Sequence, residues 1–255
     1  MVDALYIAAS GLQGEQAQID TISNNLANMQ TPGFKSSRVS FADVATITPA
    51  QVQQGIESDR AGAGVAMLAT RPEFTEGTLQ QTGNPFDLAI DGRGFFEVET
   101  AAGDHVFTRS GQLHVDQEGY LATVDGSRLA AGIQIPPDAK NITIDSTGQV
   151  SATLGSDTNP TVLGQIQLST FASPEALQLV SGNAYVPTEQ SGDPSIGKPG
   201  DDGFGTVMQG SLEQSNVDMV QEMTNLVLAQ RAYQMNARVL QAADQILDTI
   251  NNLRQ

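Results

Sequence analysis

The sequence lacks cysteine and tryptophan and has only two histidines in 255 residues. Without cysteine, the chain can form no disulfide, thiolate metal site or cysteine nucleophile. Two histidines leave little room for a metal site or a Ser-His-Asp triad. Aromatic residues make up only 5% of the chain, which disfavours a carbohydrate-stacking surface. We therefore expect no catalytic residue, no cofactor and no metal, and predict that the protein is not an enzyme.

Positive charge and long apolar runs are also scarce. The chain has 12 Lys and Arg residues against 29 Asp and Glu residues, a formal net charge of −17. This balance disfavours binding to nucleic acid or to an anionic membrane surface, because few cations are available to pair with phosphates. No apolar run approaches the roughly 18 residues of a membrane span. The first basic residue is Lys35, so neither membrane insertion nor a cleaved secretory signal is expected.

The N-terminal end is patterned as a helix. Between Val2 and about Asn28, apolar residues recur at intervals of seven, with Ile22 on the neighbouring stripe, and Pro32-Gly33 follow as a helix stop. A seven-residue repeat is typical of a helix that packs along one face against another helix. The repeating residues are Leu5, Leu12, Ile19 and Leu26.

The C-terminal end repeats this pattern over a longer stretch. It predicts one helix from about Val217 to Asn252, with Ser215 and Asp218 as a capping box at its start. The residues spaced by seven are Met219, Leu226, Tyr233, Leu240 and Leu247, and Ile246 lies in the adjacent row.

The middle of the chain is patterned as β-structure. From about Phe74 to Val186, short runs of alternating apolar and polar residues are separated by turn residues, which predicts antiparallel strands. We interpret Asp91-Gly92, residues 116–119 and Asp125-Gly126 as hairpin turns. The sequence thus predicts an α+β fold, with N- and C-terminal helices pairing as a coiled-coil-like domain and a central antiparallel β domain.

Composition divides the chain into five segments. Both terminal segments belong to the helical domain, and two polar, glycine-bearing segments connect them to the β domain. The boundaries are 1–35 for the N-terminal helix, 36–73 for a linker, 74–189 for the β-rich domain, 190–216 for a Gly/Pro loop and 217–255 for the C-terminal helix.

The terminal helices need a further surface on which to pack. Pairing the two helices buries one side of each apolar stripe, which offsets too little of the entropy lost on ordering them. Other copies of the same chain supply such a surface, and heterologous contacts that do not close into a ring build a helical filament. We therefore expect the termini to be largely disordered in the monomer and to fold on self-assembly.

Six stretches of the sequence carry a family resemblance. They are S-N-N-L-A-N at 23–28, T-P-G-F-K at 31–35, D-L-A-I-D-G-R-G-F-F at 87–96, F-T-R-S-G at 107–111, G-S-L-E-Q-S-N-V-D at 210–218 and Q-R-A-Y-Q-M-N at 230–236. In this order they resemble the signatures of the bacterial flagellar rod and hook proteins. The resemblance covers essentially the whole chain.

A polar insertion favours one branch of this family. Residues 45–61 form an extra segment before Gly62-Ala63-Gly64-Val65, at a place where hook proteins continue directly. The insertion resembles that of distal rod members. The resemblance implies a structural subunit that self-assembles into a hollow helical drive shaft, transmits torque from motor to hook and carries export through its channel. The alternatives are a hook protein or another rod paralogue, and a secreted β-rich glycan-binding protein.

The resemblance also implies partners and a location. The expected partners are copies of the chain itself, adjacent rod proteins, the hook protein and the surrounding ring proteins. The expected location is the flagellar basal body, in the rod that crosses the periplasm, after export by the flagellar type III apparatus without a cleaved signal.

The candidate functional residues are those of self-assembly. Asn24, Asn25 and Asn28 are interpreted either as hydrogen-bonding groups between subunits or as local caps before Pro32. Phe34 either staples its own helix or contacts another subunit. The helical stripes form either an intramolecular core or contacts between subunits, and the resemblance favours the second. This second set is Leu5, Leu12, Ile19, Ile22, Leu26, Met219, Leu226, Tyr233, Asn236, Leu240, Ile246 and Leu247.

Overall fold

A computed structural model describes residues 2–46, 61–155 and 159–252. The chain divides into two compact units, which we call the terminal unit and the β unit. The terminal unit comprises Met1–Ala27, Ser37–Arg71 and Asp218–Gln255, and the β unit comprises Asn28–Ser36 and Pro72–Val217. Helices at the two ends and antiparallel strands between them confirm the predicted α+β class.

The terminal unit contains both long helices. Helix α1 spans Val2–Ala27 and helix α2 spans Met219–Asn252. They run antiparallel, because Gly11 lies beside Asn236 whereas Asn25, further along α1, contacts Glu222. A Cβ atom at Gly11 would stand 3.0 Å from the Asn236 amide nitrogen, so a small residue lets the two backbones approach closely there.

Helix α2 begins two residues later than the sequence pattern predicts. The Asp218 carboxylate accepts hydrogen bonds from the backbone N–H groups of Val220 (2.8 Å) and Gln221 (3.1 Å). Asp218 is therefore the N-cap, since it satisfies donors that have no partner inside the helix. Ser215 accepts from the Val217 N–H instead, so the predicted capping box is replaced by a single cap.

The segment predicted as a linker, residues 36–73, contains two strands. Strand β1 (Ser37–Thr46) and strand β2 (Ala61–Pro72) pair in a two-stranded sheet. The small residues of β2, among them Gly64 and Ala66, gave this stretch a loop-like composition. Gly64 lies against Ser10 of α1, where a side chain would clash. The polar insertion assigned to 45–61 lies mostly outside the described residues, which exclude 47–60.

The β unit is built from short strands. In chain order they are β3 (Leu79–Gln81), β4 (Leu88–Asp91), β5 (Phe95–Glu99), β6 (His105–Thr108), β7 (Leu113–Val115), β8 (Leu121–Thr123), β9 (Arg128–Leu129), β10 (Ala139–Ile144), β11 (Gln149–Leu154), β12 (Thr161–Gln165), β13 (Leu168–Thr170), β14 (Gln178–Leu179), β15 (Ala184–Val186), β16 (Ser195–Gly197), β17 (Thr206–Gln209) and β18 (Ser211–Glu213). Single 3-10 turns lie at Pro174–Ala176 and Ser181–Asn183.

These strands form four antiparallel sheets. The largest has nine strands, with β14-β15-β6-β5-β9-β8-β7 in order and β13 joining β5 to β16. A three-stranded sheet has the order β10-β11-β12, and two small sheets pair β17 with β4 and β18 with β3. The region 190–216, predicted as a loop, therefore contains β16, β17 and β18. The partners of β17 and β18 lie more than 100 residues away in sequence, so no local pattern predicts these two strands.

Two of the three predicted hairpin turns are confirmed. Residues 116–119 connect β7 to β8, and Asp125-Gly126 connects β8 to β9 with Gly126 at φ 83°. The prediction at Asp91-Gly92 is wrong, because β4 and β5 belong to different sheets. Gly92 has φ 102° and turns the chain from one sheet into the other.

Two buried clusters form the core of the β unit. The larger is aliphatic and includes Leu88, Phe96, Val150 and Leu168. The smaller is aromatic, with edge-to-face contacts that run from Phe74 to Phe95 and onward to Phe171 and Phe107. Several strands bury consecutive residues, among them 88–90 of β4 and 106–108 of β6, so these strands are covered on both faces.

Candidate functional site

Three charged side chains meet in the interior of the β unit. The side chains of Lys35, Arg109 and Glu213 are 0%, 4% and 1% exposed, respectively. Lys35 follows α1, Arg109 follows β6, and Glu213 ends β18 a few residues before α2. We call this group the ionic junction, because it joins both segments that lead to the terminal helices to the sheet between them.

Glu213 is the centre of the ionic junction. Its Oε1 lies 2.5 Å from the Lys35 ammonium nitrogen and also accepts the Gly77 backbone N–H at 3.0 Å. Its Oε2 accepts a hydrogen bond from Arg109 Nη1 at 3.3 Å. Both oxygens are thus occupied, as a buried carboxylate requires.

The two cations are held by backbone carbonyls as well. Lys35 donates to the Thr75 carbonyl at 2.6 Å, and Arg109 Nη2 donates to the Gly92 carbonyl at 2.8 Å. The Arg109 guanidinium carbon lies 5.4 Å from the centre of the Phe95 ring. Within the described residues Arg109 Nε has no hydrogen-bond partner, so this aromatic face is its nearest compensation.

Burial dominates the electrostatics of the ionic junction. It lowers the pKa of Lys35 and the pKa of Arg109, while the attraction of Glu213 opposes both changes. Each cation also disfavours the charge of the other. One carboxylate therefore stabilises two buried cations, an arrangement suited to fixing a structure rather than to proton transfer.

Glycine brings the chain close enough for these contacts. Gly33 has φ 71°, and a Cβ atom there would collide with the Arg109–Ser110 backbone. Its N–H donates to the Glu213 carbonyl at 2.7 Å. The stretch 31–35 is thereby pressed between β18 and the end of β6, which positions Lys35.

The ionic junction is a feature that the sequence did not predict. Lys35 and Glu213 are 178 residues apart, and no local pattern connects them. The sequence contained one indication of this group: each of the three charged residues lies inside one of the stretches that carry the family resemblance.

A second buried polar contact lies in the terminal unit. The Asn25 side chain accepts from the Ser37 N–H and donates to the Ser37 carbonyl, both at 2.9 Å. It also donates to Glu222 Oε1 at 3.4 Å. Burial raises the pKa of Glu222, and its other carboxylate oxygen has no hydrogen-bond partner within the described residues. Asn25 therefore joins α1, β1 and α2 within one chain.

The structure separates the other predicted residues at the end of α1. Asn28 accepts hydrogen bonds from Thr31, the local arrangement expected of a cap before Pro32, while Asn24 is exposed. Phe34 is buried in its own β unit. Asn25 and Phe34 thus make contacts inside this chain, and a role for them between subunits stays a prediction. A single sequence does not reveal Ser37 as the partner of Asn25, which is why both interpretations remained open.

The predicted stripes lie beside the contact between the helices. Of the α1 stripe, only Ile22 is buried, and the half-buried residues are Leu5, Leu12, Ile19 and Leu26. On α2, the half-buried residues are Leu226, Asn236 and Leu240, and the exposed residues are Met219, Tyr233 and Ile246. The side chain of Leu247 lies outside the description.

Small residues occupy the contact between the helices. Ala8 of α1 and Ala229 of α2 are buried. Large aliphatic side chains elsewhere on α2 are exposed. We call this set the outer face of α2; its residues are Met219, Val220, Met223, Val227, Leu228, Met235, Val239 and Ile246.

The described part of the chain contains no group of three or more His, Asp or Glu side chains placed to hold a metal ion. None of its helices has the length and hydropathy needed to cross a bilayer.

Comparison with known proteins places these features in a family. Residues 5–35 match the family described as flagella basal body rod protein, residues 89–152 match the flagellar hook protein FlgE/F/G D1 domain, and residues 208–253 match the flagellar basal body rod FlgEFG protein C-terminal family. Each matched stretch contributes one charged residue of the ionic junction.

Full-length relatives give the same result. The flagellar basal-body rod protein FlgG of Agrobacterium fabrum is 40% identical, with 97% of this chain and 98% of the relative covered. FlgG of Caulobacter vibrioides is 38% identical, with 99% and 100% covered. FlgG of Bacillus subtilis is 36% identical over the whole of both chains. This chain therefore belongs to the FlgG family of flagellar basal-body rod proteins and is a structural subunit of the rod.

Proposed function

We propose that copies of this chain assemble through their terminal helices into the hollow distal rod, which transmits torque from the motor to the hook and encloses the export channel. In this assembly α1 and α2 form an inner, coiled-coil-like tube and the β unit forms an outer layer. The alternatives of a hook protein or a glycan-binding protein are not favoured, because the full-length relatives compared here are rod proteins.

The outer face of α2 is the observation that carries this proposal. Eight large apolar side chains on one helix are exposed in the single chain. Exposed apolar side chains in this number on one helix are typical of a protein–protein interaction site. The half-buried stripe of α1 adds to the surface available for a second copy. We assign to these contacts the predicted stripe residues other than Ile22, whose side chain is already buried.

The ionic junction supports the mechanical part of the proposal. It fixes residues 33–35 and residue 213, which precede or follow the terminal helices, to the core of the β unit. Force applied to the chain near either helix reaches the sheet through buried, hydrogen-bonded groups rather than through a free loop. Such a connection suits a subunit that carries torque.

The partners and the route follow from the same proposal. The chain contacts copies of itself, adjacent rod proteins, the hook protein and the surrounding rings. It crosses into the periplasm by flagellar type III export without a cleaved signal, and it has no enzymatic activity. The absence of cysteine suits transport as an unfolded chain, since no disulfide obstructs threading.

Electron microscopy of the purified chain at increasing concentration tests the proposal. We expect straight, hollow filaments at high concentration. A chain that stays monomeric at every concentration would contradict self-assembly. Deletion of residues 47–60 tests the distal-rod assignment, because curved filaments are expected without the insertion and straight ones would remove that argument.

A further inference from the structure

The β unit depends on one segment near the C-terminal end of the chain. Residues 206–214, which we call the closing segment, contain β17 and β18. Strand β17 pairs with β4 from Thr206↔Asp91 to Gln209↔Leu88, and β18 pairs with β3. Each pair is a separate two-stranded sheet among the described strands. The closing segment also places Val207 and Leu212 in the interior.

Strand β4 shows how strong this dependence is. Leu88, Ala89 and Ile90 are almost completely buried, and their ladder of hydrogen bonds runs to β17. A buried backbone group without a partner is costly. Before the closing segment docks, burial of these three residues is therefore unfavourable, because their backbone groups lack the partners that β17 supplies.

The charges make the dependence stronger. Lys35 and Arg109 are both buried, and each disfavours the other's positive charge. Glu213, in the closing segment, forms ion pairs with both. Glu76 also attracts the two cations, but it is exposed. Without Glu213, the native core would contain two repelling cations, which is strongly unfavourable.

We propose that Glu213 closes the β unit: the unit reaches its native core only after the closing segment has docked and Glu213 has formed ion pairs with Lys35 and Arg109. A chain delivered from its N-terminal end therefore keeps the β unit open until residue 213 is present. The closing step is a property of the chain itself. The idea that it lets the chain pass through the rod channel in an open form rests on the proposed function.

Two variants of the full chain separate the charge from the side-chain shape. Glu213→Gln alone leaves two unpaired buried cations, whereas K35M/R109M/E213Q has the same residue at 213 and no buried charge. In E213Q we expect hydrogen exchange of the β4–β6 amides to accelerate roughly 100-fold or more. In the triple variant, exchange of the same amides should be at least about tenfold slower than in E213Q.

Glu97→Gln is the matched control. Glu97 lies on β5 of the same unit, pairs with the exposed His105 and accepts a hydrogen bond from the Ser169 hydroxyl, and its side chain is 19% exposed. Its replacement should accelerate exchange by less than about tenfold, because Gln can still accept the Ser169 hydrogen bond and the lost ion pair has an exposed partner. An E213Q variant that behaves like E97Q, or a triple variant no better protected than E213Q, would overturn the proposal.

Pulse-labelled hydrogen exchange during refolding tests the order of events. In the wild-type chain, amides of β5 and β6 should gain protection in the same phase as amides of the closing segment. In the triple variant the β5 and β6 amides should gain protection earlier, because no buried cation requires an ion pair with Glu213. Protection of β5 and β6 well before the closing segment in the wild type would overturn the proposal. Failure of the wild type to form filaments would instead contradict the proposed function, so the two are distinguishable.

Discussion

At the scale of single residues, the Asn25 side chain connects α1 to both β1 and α2. Its amide makes two hydrogen bonds to the backbone of Ser37 and a third to Glu222. A side-chain amide is both donor and acceptor, so it satisfies a backbone N–H and C=O at the same time. An aspartate or a leucine of similar size satisfies at most one of these two groups.

Asn25→Ala should therefore destabilise the terminal unit. The change leaves the Ser37 N–H and carbonyl without their partner, at a cost of about 2–4 kcal/mol. Urea unfolding followed by circular dichroism measures the loss, and hydrogen exchange should show faster exchange of the Ser37 amide. Gln16→Ala removes an exposed hydrogen bond to Asp20 on the same helix and should cost less than about 0.5 kcal/mol. Equal losses in the two variants would contradict the role given to Asn25.

Glu222 gives the terminal unit a dependence on pH. Burial raises the pKa of this carboxyl, while the hydrogen bond from Asn25 and the attraction of Arg38 act in the opposite direction. Because the folded state favours the protonated form, the contribution of Glu222 to stability is present at low pH. It is lost as the pH rises through the raised pKa.

Glu222→Gln should accordingly stabilise the chain at pH 7 relative to the wild type. The difference should shrink as the pH falls towards 4, where the wild-type carboxyl is also protonated. Urea midpoints at several pH values measure it. Asp244→Asn, at an exposed position of the same helix, should not show this pattern. A constant difference across the pH range would argue against a raised pKa at Glu222.

At the scale of elements, α2 has two faces with different tasks. Ala229, 3% exposed, lies in the contact with α1, whereas Leu228, 59% exposed, lies on the outer face of α2. Neighbouring positions on a helix point about 100° apart, so adjacent residues serve different surfaces. One helix thus holds the terminal unit together and also exposes the apolar side chains that we propose contact a second copy.

Substitutions at these adjacent positions should separate folding from assembly. Leu228→Ser should leave monomer stability within about 0.5 kcal/mol and raise the concentration needed for filaments. Ala229→Leu should lower monomer stability by about 1–3 kcal/mol, because the close contact has no room for a larger side chain. Thermal unfolding and sedimentation measure the two effects. If L228S polymerises like the wild type, the outer face of α2 is not a subunit contact.

The elements also show which features a sequence reveals. Both helices were predicted, because a heptad pattern that repeats several times along a segment has a low probability of arising by chance. The hairpins at 116–119 and 125–126 were predicted, because their turn residues act locally. Strands β17 and β18 were missed, since each is short and its partner lies more than 100 residues away. The ionic junction was missed for the same reason.

At the scale of the whole molecule, deletion of the residues after Val217 should separate the two units. All residues of the β unit lie before this point, including Glu213. We expect the truncated chain to lose polymerisation and to keep hydrogen-exchange protection in β4–β6. Sedimentation and exchange mass spectrometry measure both properties. Retained polymerisation would rule out the terminal helices as the assembly surface.

The helix content of the monomer gives an independent test. The sequence pattern predicts terminal helices that are largely disordered in the monomer, but the single chain pairs α1 with α2 and buries Ala8 and Ala229. We therefore predict that both helices are folded but frayed at nanomolar concentration and become fully ordered as filaments form, because a single chain buries only part of their apolar surface. Circular dichroism across a dilution series should show a helical signal that rises with concentration. A full helical signal in the dilute monomer would contradict this prediction.

The buried Tyr185 gives the β unit its own optical reporter. The chain has four tyrosines and no tryptophan, and Tyr185 lies in the aromatic cluster beside the ionic junction. Burial raises the pKa of its phenol, so it stays neutral near pH 10, where a free tyrosine ionises. Tyr185 should therefore ionise in this range only in molecules whose β unit has opened. A slow phase of phenolate absorbance would measure this opening without a label.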